Sequence, residues 1–184
     1  MRKHKILLIG LGSIGENLAL SLIEKGYQIN IWDKNKKKTF LLCKKLNIKY
    51  ISNISKFLKK KNLIIILAIP AGLATDNFII NNIKNFKTNI HIVDIGNNHP
   101  KDTMKRFNFL KKDKIKYISC GFSGGSQGAR TNASLMISCS SVEFNFLKSL
   151  FLDIIGKKNK RFLKRIGNNP SLGNYTKIIH NGIE

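Results

Sequence analysis

The stretch KILLIGLGSIGENLALSLIE, residues 5–24, decides the fold of this chain. After Lys5 it runs through four apolar, β-forming residues, and the glycines of GLGSIG then interrupt that run. Beyond the glycines, apolar residues return with the spacing of one helical stripe, at Leu18, Ala19, Leu22 and Ile23. The stretch therefore predicts a strand, a tight turn and a helix, which together open a βαβ unit.

The spacing G-x-G-x-x-G predicts a dinucleotide site in that turn. Gly10 would permit the tight turn, Gly12 would let the backbone approach a pyrophosphate, and Gly15 would allow close packing of helix on strand. Free N–H groups at the start of the helix would then face the phosphates. The alternative is a tight turn that binds no ligand. The predicted cofactor contacts in the turn are Gly10, Leu11, Gly12, Ser13, Ile14 and Gly15.

The end of the second predicted strand bears on which dinucleotide binds. Asp33 stands where a carboxylate would accept hydrogen bonds from the adenosine ribose and repel a 2′-phosphate, which favours NAD. Lys34 and Lys36 lie beside it and would attract that phosphate, unless they are simply solvated surface. Asp33, Lys34 and Asn35 are therefore predicted cofactor contacts, with Asp33 the better-defined signal.

Strand-like runs alternate with segments of helical spacing along the rest of the chain. The runs are KILLIG (5–10), QINIWD (28–33), NLIIILAIP (62–70), NIHIVDIG (89–96) and IKYISC (115–120). Helices are expected after Lys36, Asn53, Leu73 and Lys101. The alternation predicts an α/β fold, a Rossmann-like, doubly wound and mostly parallel sheet.

Composition sets bounds on partners and compartment. The formal net charge is +23, but the basic residues are spread along the chain without an RNA-binding motif or zinc finger, so nucleic acid is an unlikely partner. No apolar run reaches the roughly 20 residues of a membrane span, and the start MRKHKILLIG does not resemble a secretory signal. A cytoplasmic protein is expected. Cys43, Cys120 and Cys139 are widely spaced, which predicts reduced, buried thiols and no metal site.

The last residues, NYTKIIHNGIE at 174–184, are dense in polar side chains and predict a helix. At 3.6 residues per turn, Lys177, Asn181 and Glu184 would share one face, with His180 beside them. A base, an amide, a carboxylate and an imidazole would then project into the same space. Such a set is typical of an active site.

Four motifs together resemble a known family. They are DIGNNHPKDTMKR (94–106), FSGGSQGAR (122–130), NASLM (132–136) and KIIHNGIE (177–184). In this order and spacing they are similar to the N-terminal half of 6-phosphogluconate dehydrogenase, the decarboxylating enzyme of the pentose phosphate pathway. The resemblance covers essentially the whole chain. Related β-hydroxyacid dehydrogenases share the fold but not the HNGIE motif.

The resemblance implies an activity and the residues that perform it. The family oxidises the C3 hydroxyl of 6-phosphogluconate with NADP, and loss of CO2 then gives ribulose 5-phosphate. Lys177 would be the base that takes the hydroxyl proton, and Glu184 the acid that protonates the enediol. By the same resemblance, the substrate contacts would be Asn97, Ser123, Gly124, Gly125, His180 and Asn181. The cofactor-side loop, after the family's fourth strand, would be Ile69, Pro70 and Ala71, joined by Asn97.

Members of that family are more than twice as long, with an all-helical domain after HNGIE. The resemblance thus implies a dinucleotide-binding domain at 1–172 and, at 173–184, the start of a long helix leading into a missing all-α domain. Without the cleft wall of that domain, Lys177 is expected to be exposed to water and protonated. An exposed apolar face is also expected, formed by Ile178, Ile179 and Ile183.

Three hypotheses follow for the chain by itself. The first is a 6-phosphogluconate dehydrogenase with weak or absent turnover alone, which is either completed by a separately encoded helical half or is a decaying remnant of the enzyme. The second is a dinucleotide-binding module without catalysis. The third is a nucleic-acid binder driven by the positive charge, for which a steep salt dependence of affinity would be the sign.

Overall fold

The computed structural model describes residues 5–184. Residues 1–4, the basic start of the segment that does not resemble a secretory signal, lie outside the described residues. The strands in this range are β1 (Lys5–Ile9), β2 (Ile29–Trp32), β3 (Leu63–Leu67), β4 (His91–Asp94), β5 (Lys116–Ser123), β6 (Ser134–Ser138) and β7 (Leu163–Gly167). The α-helices are α1 (Ser13–Glu24), α2 (Lys36–Lys45), α3 (Ile54–Leu58), α4 (Leu73–Asn82), α5 (Pro100–Lys111), α6 (Gly125–Arg130), α7 (Ser141–Ile155) and α8 (Leu172–Ile183). Short 3-10 helices lie at Ile83–Asn85 and Lys157–Phe162.

All seven strands form one sheet in the order β2-β1-β3-β4-β5-β6-β7. The pairs from β2 through β5 are parallel, β6 runs antiparallel to β5, and β7 is parallel to β6. The predicted Rossmann-like, doubly wound and mostly parallel sheet is confirmed.

Alternate side chains of the central strands feed two apolar cores, one on each face of the sheet. Ile6 and Leu8 of β1 pack on one face with Leu18 and Leu22 of α1. Leu7 and Ile9 pack on the other face with residues of α3, α4 and α5. Every residue of β3 is buried, which explains why its sequence is continuously apolar rather than alternating.

The five predicted strands are present, and the helices after Lys36, Asn53 and Leu73 form as expected, with α5 beginning one residue before Lys101. Strands β6 and β7 were not predicted. In β7, Lys164 and Arg165 are exposed, so the strand has neither an apolar run nor a clean alternation. Its position at the edge of the sheet explains this weak signal.

The final helix lies against β5 and β6 because glycines remove the side chains between them. A Cβ atom on Gly121 of β5 would overlap the carbonyl oxygen of Gly173 and lie 2.9 Å from the Cβ of Lys177. A Cβ atom on Gly173 would lie 2.6 Å from the carbonyl oxygen of Met136. The close approach fixes which face of α8 is turned to the sheet.

The three cysteines are free and buried, as expected. Burial raises the pKa of the Cys139 thiol to about 12, so it is protonated at neutral pH. Within residues 5–184, no cluster of His, Cys, Asp and Glu is suited to hold a metal ion. In the same range, none of the helices combines the length and apolarity that crossing a bilayer requires.

Candidate functional site

A cleft with a volume of about 870 Å³ lies at the carboxyl ends of β1, β3 and β4. The chain passes from β1 to β2 on one side and then to β3 on the other, so this is the point where the winding direction reverses. Ligands of open α/β sheets bind at such points. Predicted contacts that line the cleft are Gly10, Gly12, Ser13, Ile14, Gly15, Asp33, Lys34, Ile69, Pro70, Ala71 and Asn97.

The glycine turn is held by contacts that admit no side chain at its first and third glycines. Gly10 has a φ of +94°, and a Cβ there would overlap the carbonyl oxygen of Ala68. A Cβ on Gly15 would overlap the carbonyl oxygen of Gly10. At Gly12, by contrast, a Cβ would meet no atom within 4 Å. The backbone at Gly12 therefore faces open space.

This turn fits the pyrophosphate of a dinucleotide. Gly12 is the N-cap of the twelve-residue helix α1 and contributes no capping side chain. The first N–H groups of a helix lack intrahelical acceptors and carry a partial positive charge, which suits an anion. The exposed backbone of Gly12 leaves the approach to these N–H groups open.

Asp33 holds the neighbouring wall in place through both carboxylate oxygens. Oδ2 accepts a hydrogen bond of 2.8 Å from the N–H of Leu11, and Oδ1 accepts one of 2.9 Å from the N–H of Asn35. The Leu11 side chain lies in the core, and the Asn35 side chain caps α2 by accepting from the N–H of Lys38. Leu11 and Asn35 thus hold Asp33 in place but do not line the cleft themselves. That they contact the cofactor stays a prediction.

The rest of the cleft lining comes from the loops after β3 and β4, from helix α4 and from Phe122 of β5. Residues 69–71 follow the third strand of this chain, which corrects the expectation, carried over from the family, of a loop after strand four. Asn97 is exposed and lines the cleft on the same side. A Cβ atom on Gly96 would lie 3.1 Å from the carbonyl oxygen of Ile69, so the two loops are in contact.

A buried polar network that was not predicted lies beneath these loops. Asp94, fully enclosed at the end of β4, accepts hydrogen bonds from the Tyr117 hydroxyl at 2.6 Å, the Gly96 N–H at 2.9 Å and the Asn98 amide at 3.0 Å. Burial raises the pKa of Asp94, while these donors and the nearby Arg106 guanidinium oppose that rise. Arg106 extends the network from α5. The partners come from the loop after β4, from β5 and from α5, so no local sequence pattern indicates the whole network.

The predicted base, Lys177, is buried. Its side chain lies against β5, and Nζ donates a hydrogen bond of 2.9 Å to Oγ of Ser123. The expectation that Lys177 would be exposed to water is therefore wrong, because the glycine contacts between α8 and β5 cover it within this chain. Ser123 ends β5 at the edge of the sheet where β1, β3 and β4 also end, so the Lys177 amine lies at the edge that carries the cleft.

The other residues of the terminal motif are less enclosed. Asn181 and Glu184 are exposed, and Nδ1 of His180 lies 3.3 Å from Oε2 of Glu184. Gly124 and Gly125 follow Ser123 and are exposed, both with positive φ. The structure thus brings Lys177 to Ser123 but leaves Asn181 and Glu184 in solvent. The predicted apolar face is exposed as expected and consists of Ile178, Ile179 and Ile183.

Asn174, on the first turn of α8, joins this helix to the cofactor side. Its Oδ1 accepts from the hydroxyls of Thr103 at 2.8 Å and Ser119 at 2.6 Å, and its Nδ2 donates to the carbonyl oxygen of Gly96 at 3.2 Å. The sequence carried no signal for this role beyond a polar residue near a helix start. The hydrogen bonds of Asn174 therefore connect α8, the helix of Lys177, to the loop that carries Asn97.

Comparison with known proteins agrees with this geometry. A family model described as the NAD binding domain of 6-phosphogluconate dehydrogenase matches residues 5–165. The decarboxylating 6-phosphogluconate dehydrogenase of Staphylococcus aureus is 33% identical over 98% of this chain and 40% of its own length. That of Ceratitis capitata is 31% identical over 99% of this chain and 39% of its own length. The chain spans about two fifths of the length of these relatives.

Solved structures agree on the fold. One match is Plasmodium falciparum 6-phosphogluconate dehydrogenase, which was solved in complex with its cofactor NADP+ and in complex with its substrate 6-phosphogluconate. Its TM-score is 0.79 and its sequence identity is 29%, over 97% of this chain and 40% of that chain. A 3-hydroxyisobutyrate dehydrogenase of Mycobacterium tuberculosis has a TM-score of 0.86 at 14% identity over 98% of this chain and 60% of that chain, which supports the fold alone.

These matches confirm a nicotinamide dinucleotide as the cofactor, with NAD and NADP both compatible, and they indicate an oxidoreductase. The cleft, the glycine turn and the family match lead to one assignment. This chain belongs to the family of NAD-binding domains of 6-phosphogluconate dehydrogenase.

Proposed function

We propose that this chain forms the cofactor-binding and proton-transfer part of a decarboxylating 6-phosphogluconate dehydrogenase. The observation that carries the proposal is the buried Lys177, whose amine donates to Ser123 at the edge of the sheet that holds the dinucleotide cleft. A base buried beside a nicotinamide site is what oxidation of a hydroxyl requires.

In the proposed reaction, Lys177 accepts the proton of the C3 hydroxyl of 6-phosphogluconate. The bound dinucleotide supplies an acceptor for the hydride from C3. The resulting β-keto acid loses CO2 while the lysine ammonium donates a hydrogen bond to the ketone oxygen, and a proton from an acid then completes ribulose 5-phosphate. Ser123 would orient Lys177, and the exposed amide of Asn97 would contact substrate and cofactor.

Glu184 is the proposed acid, and its exposure suggests what the chain needs for activity. A carboxylic acid surrounded by water is a poorly positioned proton donor. We propose that an all-helical part, joined to the chain or separately encoded, covers the exposed Ile178, Ile179 and Ile183 and encloses Glu184, His180 and Asn181. The proposed division into 1–172 and 173–184 then separates the cofactor domain from the helix entering that part.

The chain alone is expected to show weak or absent turnover.

The three free, buried thiols fit a reducing compartment, and we propose the cytoplasm.

Turnover after complementation tests this proposal. The chain is assayed with 6-phosphogluconate and NAD or NADP, alone and co-expressed with the C-terminal part of the Staphylococcus aureus relative. Dinucleotide reduction and release of CO2 from substrate labelled at its carboxyl carbon are measured together. We expect both signals in the complemented sample and neither above background in the chain alone. Dinucleotide binding without CO2 release in a folded complex would instead support a binding module without catalysis.

A further inference from the structure

Arg106 on α5 is the most deeply buried arginine side chain among residues 5–184. Only 4% of it is exposed, and it lies between the loop after β3 and the loop after β4. Burying a guanidinium is costly unless its donors are paired.

The Arg106 guanidinium is paired on three sides. Nε donates to Oδ1 of Asp76 at 2.6 Å, Nη1 donates to Oδ1 of Asn98 at 2.6 Å, and Nη2 donates to the carbonyl oxygen of Gly72 at 3.1 Å. Gly72 precedes α4, and Asn98 precedes α5. One planar, rigid side chain therefore joins the two loops, an arrangement that a lysine cannot reproduce.

Both loops carry residues that line the cleft. Pro70 and Ala71 lie immediately before Gly72, and Gly96 and Asn97 lie immediately before Asn98. Because Arg106 holds the ends of both lining segments, it sets the spacing of this wall without itself lining the cleft.

The loops that Arg106 joins follow β3 and β4, which lie on the other side of β1 from β2 in the sheet. In sites of this fold, the carboxylate after β2 contacts the adenosine ribose and the glycine turn contacts the pyrophosphate. Asp33 therefore marks the adenosine side of the cleft, and Gly12 marks the middle. The loops after β3 and β4 are left for the nicotinamide half.

We propose that Arg106 is a positioning residue for the nicotinamide half of the dinucleotide, acting through the Gly72 and Asn98 loops, and that it does not affect the adenosine half. This inference rests on the dinucleotide site within the proposed function and is independent of decarboxylation. Its test is therefore a binding measurement, whose outcome does not depend on turnover.

Calorimetric titration with two probes separates the halves. NADH occupies the whole cleft, whereas ADP occupies only the adenosine and pyrophosphate side. Arg106→Lys keeps the charge beside Asp76 and Asp94 but loses the three-way pairing, and Arg106→Met removes the donors. The matched control is Arg130→Met, which removes the ion pair between Arg130 and Glu24 away from the cleft.

We expect Arg106→Lys to weaken NADH binding by about tenfold, because lysine keeps the charge but no longer fixes the spacing of the two loops. ADP affinity should stay within about twofold of wild type, and Arg130→Met should leave both ligands unchanged. A loss of stability alone would lower both affinities by the same factor. Equal weakening of NADH and ADP, or no weakening of NADH, would overturn the proposal.

Hydrogen exchange on the wild-type chain provides a test that needs no folded variant. NADH is expected to slow amide exchange in the segments 69–72 and 95–99 together, while ADP leaves both unchanged. If ADP protected these segments as strongly as NADH, the assignment of this wall to the nicotinamide half would be wrong.

Discussion

The glycine turn and the terminal helix both carry predicted site residues, but they differ in how far contacts within the chain enclose those residues. In the turn, Gly10, Gly15 and Asp33 are fixed by contacts within the chain, and Gly12 is left open toward the cleft. In the helix, Lys177 is buried and bonded to Ser123, but Glu184 projects into solvent one residue beyond the end of α8.

The difference predicts that cofactor binding and the proposed chemistry have separate structural requirements. The dinucleotide cleft depends on β1, β2, β3 and β4 and the loops between them, all of which lie within one sheet. The proposed proton-transfer groups depend on a helix whose outer face, with Ile183 82% exposed, has no cover within residues 5–184. The cleft is therefore expected to bind its cofactor without the helical part, and the chemistry is expected to require it.

The largest expected effect is on turnover at Lys177. In the complemented enzyme, Lys177→Met should lower kcat by about a thousandfold or more, because a general base is lost. NADH affinity should be unchanged, since Lys177 does not line the cleft. Lys157→Met, which removes a highly exposed lysine, is the control and should retain activity. Comparable loss of NADH binding in Lys177→Met would show that the two regions are not separable.

The next effect distinguishes two glycines of the turn. Gly12→Val should fold with a nearly unchanged Tm but bind NADH about a hundredfold more weakly, because its side chain would occupy the pyrophosphate approach. Gly15→Val should lower Tm strongly, because its Cβ would overlap the carbonyl oxygen of Gly10. Differential scanning calorimetry and NADH titration on both variants measure this. If Gly12→Val bound NADH normally, the turn would not be the pyrophosphate site.

Asp33 is expected to set cofactor preference by a smaller factor. Asp33→Ser removes the negative charge that opposes a 2′-phosphate and leaves Lys34 beside the cleft. The affinity for NADPH relative to that for NADH should therefore rise by about tenfold. The ratio of the two dissociation constants is the measurement. Asp153→Ser, at a residue that does not line the cleft, is the control for loss of charge. An unchanged ratio would mean that the Asp33 carboxylate acts only on the backbone of Leu11 and Asn35.

The smallest expected effect is on the pH dependence of stability. Burial raises the pKa of Asp94, so the folded chain holds this proton to higher pH than the unfolded chain. This difference in the pKa of Asp94 stabilises the folded chain fully below the unfolded pKa of about 3.9. The stabilisation is lost as pH rises through the pKa of Asp94 in the folded chain. The stability of wild type relative to Asp94→Asn should therefore fall as pH rises above about 4.

Urea unfolding at several pH values measures this difference. A rise over the same range would show that the hydrogen bonds from Tyr117, Gly96 and Asn98 outweigh burial.

Much of the fold could be predicted from local patterns. The run LIIIL of β3 and the glycine spacing after β1 are signals contained within a few residues, and both gave the right element. The strand β7 could not be found this way, because Lys164 and Arg165 face solvent at a sheet edge. Tertiary packing, rather than the residues of β7 themselves, decides that β7 pairs with β6.

The part of the site formed by the glycine turn and by Asp33 was predictable from the sequence. The parts that depend on contacts between distant elements were not. The glycine turn and Asp33 lie in the cleft as expected. The burial of Lys177 depends on Gly121, and the network of Asp94 and Arg106 depends on partners from other elements, so neither has a signature in its own stretch of sequence.

Fluorescence titration of the isolated chain with NADH tests the central claim most directly. Trp32 is the single tryptophan of the sequence and lines the cleft, so bound NADH should quench it by energy transfer. We predict saturable quenching that ADP reverses, without any helical partner present. Quenching that rises linearly with NADH and resists ADP would contradict a cleft that this chain completes by itself.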